Sequence, residues 1–172
     1  MNFDDEIADT PEEAGSDEML SDDNLRLPES ANILVRVHAV GAWLTRRYQE
    51  TTLEVGEAAL ALQELAQMGE ELPRWRRRER QEQEARLSQI QQRLTEAQQR
   101  LHTYEEAQTL LEECIDHTSG ERVLVEYYLV LEDLVERVRQ ESEAGQNPRL
   151  QALTDVQHRV ERVGVPHEEE DE

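Results

Sequence analysis

The feature that most constrains this chain is a heptad seam. Leu87, Ile90, Leu94, Ala97, Leu101, Tyr104, Gln108, Leu111 and Ile115 follow one another at steps of three and four without a break. Such a run predicts one continuous helix whose apolar stripe another helix must cover. The faces around the stripe are Gln, Glu and Arg. From Pro73 to about Asp116 the helix would be roughly 65 Å long at 1.5 Å per residue. No small globule buries a rod of that length. The cover comes from this chain or from a second copy, and the spacing alone leaves both open. Tyr104 and Gln108 interrupt the stripe with polar groups, and a buried Gln108 would set register.

The rest of the chain also reads as helix. Ser30 or Asn32 can cap a first helix carrying Ile33, Val37, Val40 and Leu44, then Val55, Ala58, Leu62 and Leu65. The phase shift at Thr51-Thr52, with Gly56 beyond it, predicts a kink or fraying there. Gly69 and Pro73 bracket its end. Ser119 is placed to cap a third helix over about 120–143, with Leu124, Tyr128, Leu131, Val135 and Val138 facing inward. Asn147 then suits an N-cap and Pro148 the first position of a fourth helix, which Gly164 and Pro166 finish. Short loops imply antiparallel neighbours. No segment alternates convincingly as a strand.

Charge is unevenly spread. The net charge is −22, yet residues 1–30 hold 11 acids against Arg26, and residues 167–172 hold five. Both ends therefore read as solvated, disordered tails, since low hydrophobicity with high charge cannot repay chain entropy. That leaves −22 + 10 + 5 = −7 for residues 31–166, too little for a nucleic-acid mimic or a halophilic surface. Every basic residue is arginine. The acidic opening resembles neither a signal nor a transit peptide, and no run is long and apolar enough for a membrane span. A lone cysteine, Cys114, cannot form an internal disulfide and fits a reducing, cytoplasmic setting.

Candidate chemistry is sparse. Cys114-x-x-His117 has no second pair to complete a zinc site. As a nucleophile pair it lacks an oxyanion site, and no glycine-rich loop is present to hold phosphate. No enzyme, cofactor or metal is expected. The sharpest local feature is Arg74-Trp75-Arg76-Arg77-Arg78-Glu79-Arg80. The preferred reading is a solvated first turn; since cations at a helix N-terminus are mildly unfavourable, an acidic partner or the chain's own acidic tail that offsets them is the alternative. One basic run in an acidic chain argues against nucleic acid. Trp43 and Trp75 suit interface anchors or, as the preferred reading, core filling.

Residues 74 to 165 resemble the GrpE family of nucleotide-exchange cochaperones. In both, an acidic N-terminus precedes a long coiled-coil helix and two shorter ones. Tyr128-Leu129-Val130-Leu131-Glu132-Asp133-Leu134-Val135-Glu136-Arg137 is similar to the family's Leu-Pro-Val-Leu-Asp-Asn-Leu-Glu-Arg segment. It lacks the proline and carries one extra residue before Glu136. Tyr104 matches the tyrosine of the family's Asn-Tyr-Arg step, and Val163-Gly164-Val165 its Phe-Gly-Val-like step. The resemblance implies dimerisation through the long helix and a DnaK-type partner. The family's small β-domain, which opens the chaperone's nucleotide lobe, has no counterpart expected here, so exchange activity is not carried over.

The expected fold is all-α. It comprises an acidic tail over 1–30, an amphipathic helix over 31–72, the heptad helix over 73–117, a helical pair over 118–166 and an acidic tail over 167–172. The expected self-association seam is Leu87, Ile90, Leu94, Ala97, Leu101, Tyr104, Leu111 and Ile115, giving a homodimer. Arg74, Trp75, Arg76, Arg77, Arg78 and Arg80 are the partner-binding candidates. The expected function is a non-enzymatic, GrpE-like cochaperone or adaptor. A coiled-coil scaffold, or an acidic regulator of a basic protein, is the alternative.

Overall fold

The computed structural model describes residues 13–73, 75–142 and 147–164. Among them the chain is all-α: α1 (Glu13–Leu20), α2 (Ile33–Glu70), α3 (Arg77–His117), α4 (Arg122–Glu141) and α5 (Pro148–Val163). α2 and α3 form a long antiparallel hairpin, as the pairings Trp43–Tyr104, Glu54–Arg100 and Leu65–Gln83 show. α4 and α5 pack on one end of it.

Local chemistry sets the boundaries. The Asn32 carboxamide oxygen accepts from Leu34 N at 3.1 Å and starts α2. Asn147 accepts from the amides of Arg149 and Leu150, with Pro148 at the first turn of α5. Gly120 takes a φ of 68° between α3 and α4, a left-handed conformation that favours glycine. The helix does not break or fray at Thr51-Thr52. Each hydroxyl donates to the carbonyl four residues back, Arg47 and Tyr48, at 2.8 Å, so the pair sits inside a continuous helix. α3 begins at Arg77 and not directly after Pro73. Ser119 does not cap α4, whose N-cap position is Glu121, without a side-chain bond.

The core lies at one end. Ala39, Val40, Trp43 and Leu44 of α2 meet Tyr104, Ala107 and Leu111 of α3. Leu124, Tyr127, Leu131 and Val135 of α4, and Leu153, Val156 and Val160 of α5, close it. The Tyr127 hydroxyl is wholly buried and donates to the Ala107 carbonyl at 2.9 Å. Beyond Thr51 on α2 and before Ala97 on α3, Gln83 is the one buried residue among those described. That stretch is a two-helix arm reaching roughly 30 Å past the core, at 1.5 Å per residue. Among the described residues no helix is long and apolar enough to cross a membrane.

The expected disordered tail is corrected from Glu13 onward. α1 lies on α2, and Leu20, Leu25 and Leu27 pack against the core. Composition suggested a solvated segment, but residues 20–29 form a strap held through backbone carbonyls, which composition does not register. Residues 1–12 and the tail 167–172 lie outside the described residues.

Candidate functional site: the arm and its arginine tip

The heptad seam divides into two unlike halves. Ala97, Tyr104 and Leu111 are buried in the bundle, where α2 covers them. Leu87, Ile90, Leu94 and Leu101 are half-buried, and Ile115 is 46% exposed. In the arm, two helices cannot enclose their own seam. Leu53, Leu60 and Met68 of α2 lie open, Leu60 at 62%. Between the helices an apolar groove of about 240 Å³ runs past Ala61, Leu65, Met68 and Ile90. Gln108 is half-buried at the bundle end and lines a larger cleft of about 670 Å³, floored by Gly41, Ala42 and Thr45 and walled by α1.

The distal end of the arm carries the arginine run. Gln83 bridges the helices there, its amide donating to the Leu65 carbonyl at 2.7 Å. Gly69 opposes it, and a methyl at that position would collide with the amide. Trp75 is 75% exposed, so the core-filling expectation holds for Trp43, at 3%, and not for Trp75. The Arg76 guanidinium stacks over the Trp75 ring at 5.1 Å and pairs with Glu79 at 2.9 Å. Arg78 pairs with Glu82 at 3.3 Å, and Arg80 donates to the Leu72 carbonyl. Arg77 is exposed, and Arg74 lies outside the described residues. Among the described residues the anions paired with the run are its own Glu79 and Glu82. Screened surface pairs of this kind contribute little.

The Cys114 and His117 pair shows no activation. Partial burial, with Glu126 and Glu113 nearby, pushes the thiol above its usual range, opposite to what a nucleophilic cysteine needs. His117 Nδ1 faces the Glu113 carbonyl at 2.8 Å. Among the described residues no cluster of His, Cys, Asp and Glu could hold a metal ion.

Sequence reasoning missed a second polar assembly. Arg36 and Arg159 are nearly fully buried. Arg36 donates to the carbonyls of Pro28, Glu29, Ala31 and Val163 at 2.9–3.2 Å. Arg159 donates to Leu20, Asp22 and Ala39. The Asp23 carboxylate accepts from Trp43 Nε1 at 2.6 Å and from Arg47 at 3.3 Å. Burial raises the Asp23 pKa, but the Trp43 bond and the charges of Arg47, Arg46 and Arg159 outweigh it and hold the carboxyl below its usual range. Burial pushes the Arg159 pKa down to about 10, still charged at neutral pH. The available signal was arginine on an apolar stripe: Arg159 adjoins Val156, Val160 and Val163.

Compared with protein-family models, curated proteins and solved structures, the chain matches none.

Proposed function

We propose that the protein is a non-enzymatic adaptor that dimerises through its arm and engages a protein partner at the tip. The observation that carries this reading is the half-covered seam. Leu87, Ile90 and Leu94 repeat at heptad spacing but are only half-buried, and Leu53, Leu60 and Met68 beside them are exposed. Laying a second arm along the first would complete a four-helix bundle. Fully burying an exposed Leu or Met contributes at most about 1.5–3 kcal/mol, so Leu53, Leu60 and Met68 would supply most of the gain and the half-buried seam residues less. The exposed Trp75 among arginines has the composition of an interface anchor.

The GrpE resemblance supplies the partner class to test first, a DnaK-type chaperone. The residues behind it do packing work here: Tyr104, Leu131 and Leu134 belong to the core. The likeness is therefore one of helical scaffold, and adaptor function is the part that it and the geometry share. The test is a pull-down from native lysate with the tagged full-length chain, washed with ADP and eluted with ATP. A DnaK-type chaperone released by ATP, and lost with Trp75→Ala and Arg77→Ala, supports the reading. A nucleotide-insensitive partner retained by both variants would refute the chaperone assignment and the tip.

A further inference from the structure

The cleft between α2 and α5 is built like a receptor for an extended acidic peptide. Its walls are Trp43, Arg46 and Arg47 on α2 and Arg159 and Arg162 on α5, all of which contact the strap from Leu20 to Asp23. Apolar side chains, Leu20, Leu25 and Leu27, anchor the strap on the core, and two kinds of polar contact hold it in the cleft. Guanidinium groups take main-chain carbonyls: Arg159 those of Leu20 and Asp22, Arg162 that of Asp23, and Arg46 that of Ser21. One side chain, the Asp23 carboxylate, enters a cradle of the Trp43 indole N–H and the Arg46 and Arg47 guanidiniums. The Arg47 guanidinium also lies over the Trp43 ring at 5.1 Å. Carbonyl contacts tolerate any side chain. The Asp23 carboxylate is therefore the charged determinant of the strap in this cleft, beside its apolar anchors.

The strap does not exhaust the cleft. Arg47 Nε and Arg159 Nε are buried without an acceptor among the described residues. Both residues line a cavity of about 260 Å³ beside Asp23, with His158, Arg162 and Asp155 around it. Donors to spare and room beside the bound carboxylate suit a ligand with more negative charge than the strap places there.

We propose that this cleft binds an acidic extended segment of a partner protein, and that residues Leu20–Glu29 are its resident, displaceable occupant. The strap joins α2 directly at Ala31-Asn32, so it competes as an intramolecular ligand at high effective concentration. A partner segment gains access when the strap opens.

The test uses the full-length chain. Asp23→Lys with Leu27→Asp opposes the arginine cradle and removes one apolar anchor of the strap, leaving every cleft residue intact. The probe is a fluorescent peptide spanning Ser16 to Ala31, alongside its Asp23→Asn version. Hydrogen exchange of the strap amides reports opening, circular dichroism reports the bundle, and anisotropy reports binding. The proposal expects strap amides exchanging at least a hundredfold faster at unchanged helicity. The variant should then bind the peptide at least tenfold more tightly than the wild type, and the Asp23→Asn peptide at least tenfold more weakly. An open strap with no peptide uptake, or equal uptake of both peptides, overturns it. So does a strap that stays protected, or helicity lost along with the strap, since the strap would then be a permanent part of the core.

Discussion

Leu111→Ala and Leu94→Ala make the sharpest pair of perturbations, because the heptad treats the two leucines as equivalent and the fold does not. Leu111 is 3% exposed, in the core with Ala107 and Trp43. Its truncation loses the buried methyl groups and leaves a void, a combined cost of about 2–5 kcal/mol. A 172-residue chain loses roughly 2–4 °C of Tm per kcal/mol. Leu111→Ala should therefore unfold about 6–12 °C early if the loss is near 3 kcal/mol. Leu94 is half-buried on the arm, where solvent already reaches the side chain and no closed cavity can form. Its truncation should cost about 1 kcal/mol or less in the dilute protein. Urea unfolding at low micromolar concentration, followed by circular dichroism, separates the two. Equal losses would refute the division into a closed core and an open arm.

Further outcomes follow from the turns and the buried acids. Gly120→Ala forces a side chain into the left-handed region and should cost about 1–2 kcal/mol in thermal unfolding, with helix content unchanged. Burial raises the Asp155 pKa, against the opposing charges of Arg47 and His158, so this carboxylate destabilises the fold once ionised. Its protonated form favours folding at acid pH, and that advantage is lost as pH rises through the folded value. Asp155→Asn should thus raise Tm at pH 7 and change little at pH 3. Asp23 has the opposite sign. Its stabilisation is fully present above the unfolded value and disappears only as pH falls through its depressed folded value. In a Trp75→Phe background, Trp43 emission should hold steady from pH 7 to pH 5 and shift only below about pH 4.

Much of this fold follows from local signals that act within a few residues. The Asn147-Pro148 start of α5 and the inward face of α4 around Leu131 and Val135 needed no long-range knowledge. The site was harder to read. Spacing shows that Leu87–Ile115 needs covering, yet not that α2 buries Ala97, Tyr104 and Leu111 while Leu87, Ile90, Leu94 and Leu101 stay half-covered. The difference arises because α4 and α5 are short and pack at one end only. The strap was invisible for another reason. Averaged charge and hydropathy describe side chains, whereas Arg36 and Arg159 bind carbonyls, which every residue carries. Thr51-Thr52 suggested fraying because β-branching weakens helix propensity, which packing overrides where Thr51 is buried within α2.

The proposed dimer rests on an arm whose seam is only partly covered among the described residues. Sedimentation equilibrium across a hundredfold range of concentration tests this directly, comparing the wild type with Leu87→Asp/Leu94→Asp. The account predicts a wild-type mass rising from that of the 20.0 kDa chain to twice that value, and a variant that stays at the single-chain mass with its helicity kept. A wild type that remains a single chain throughout, or a variant that dimerises as well as the wild type, would contradict it.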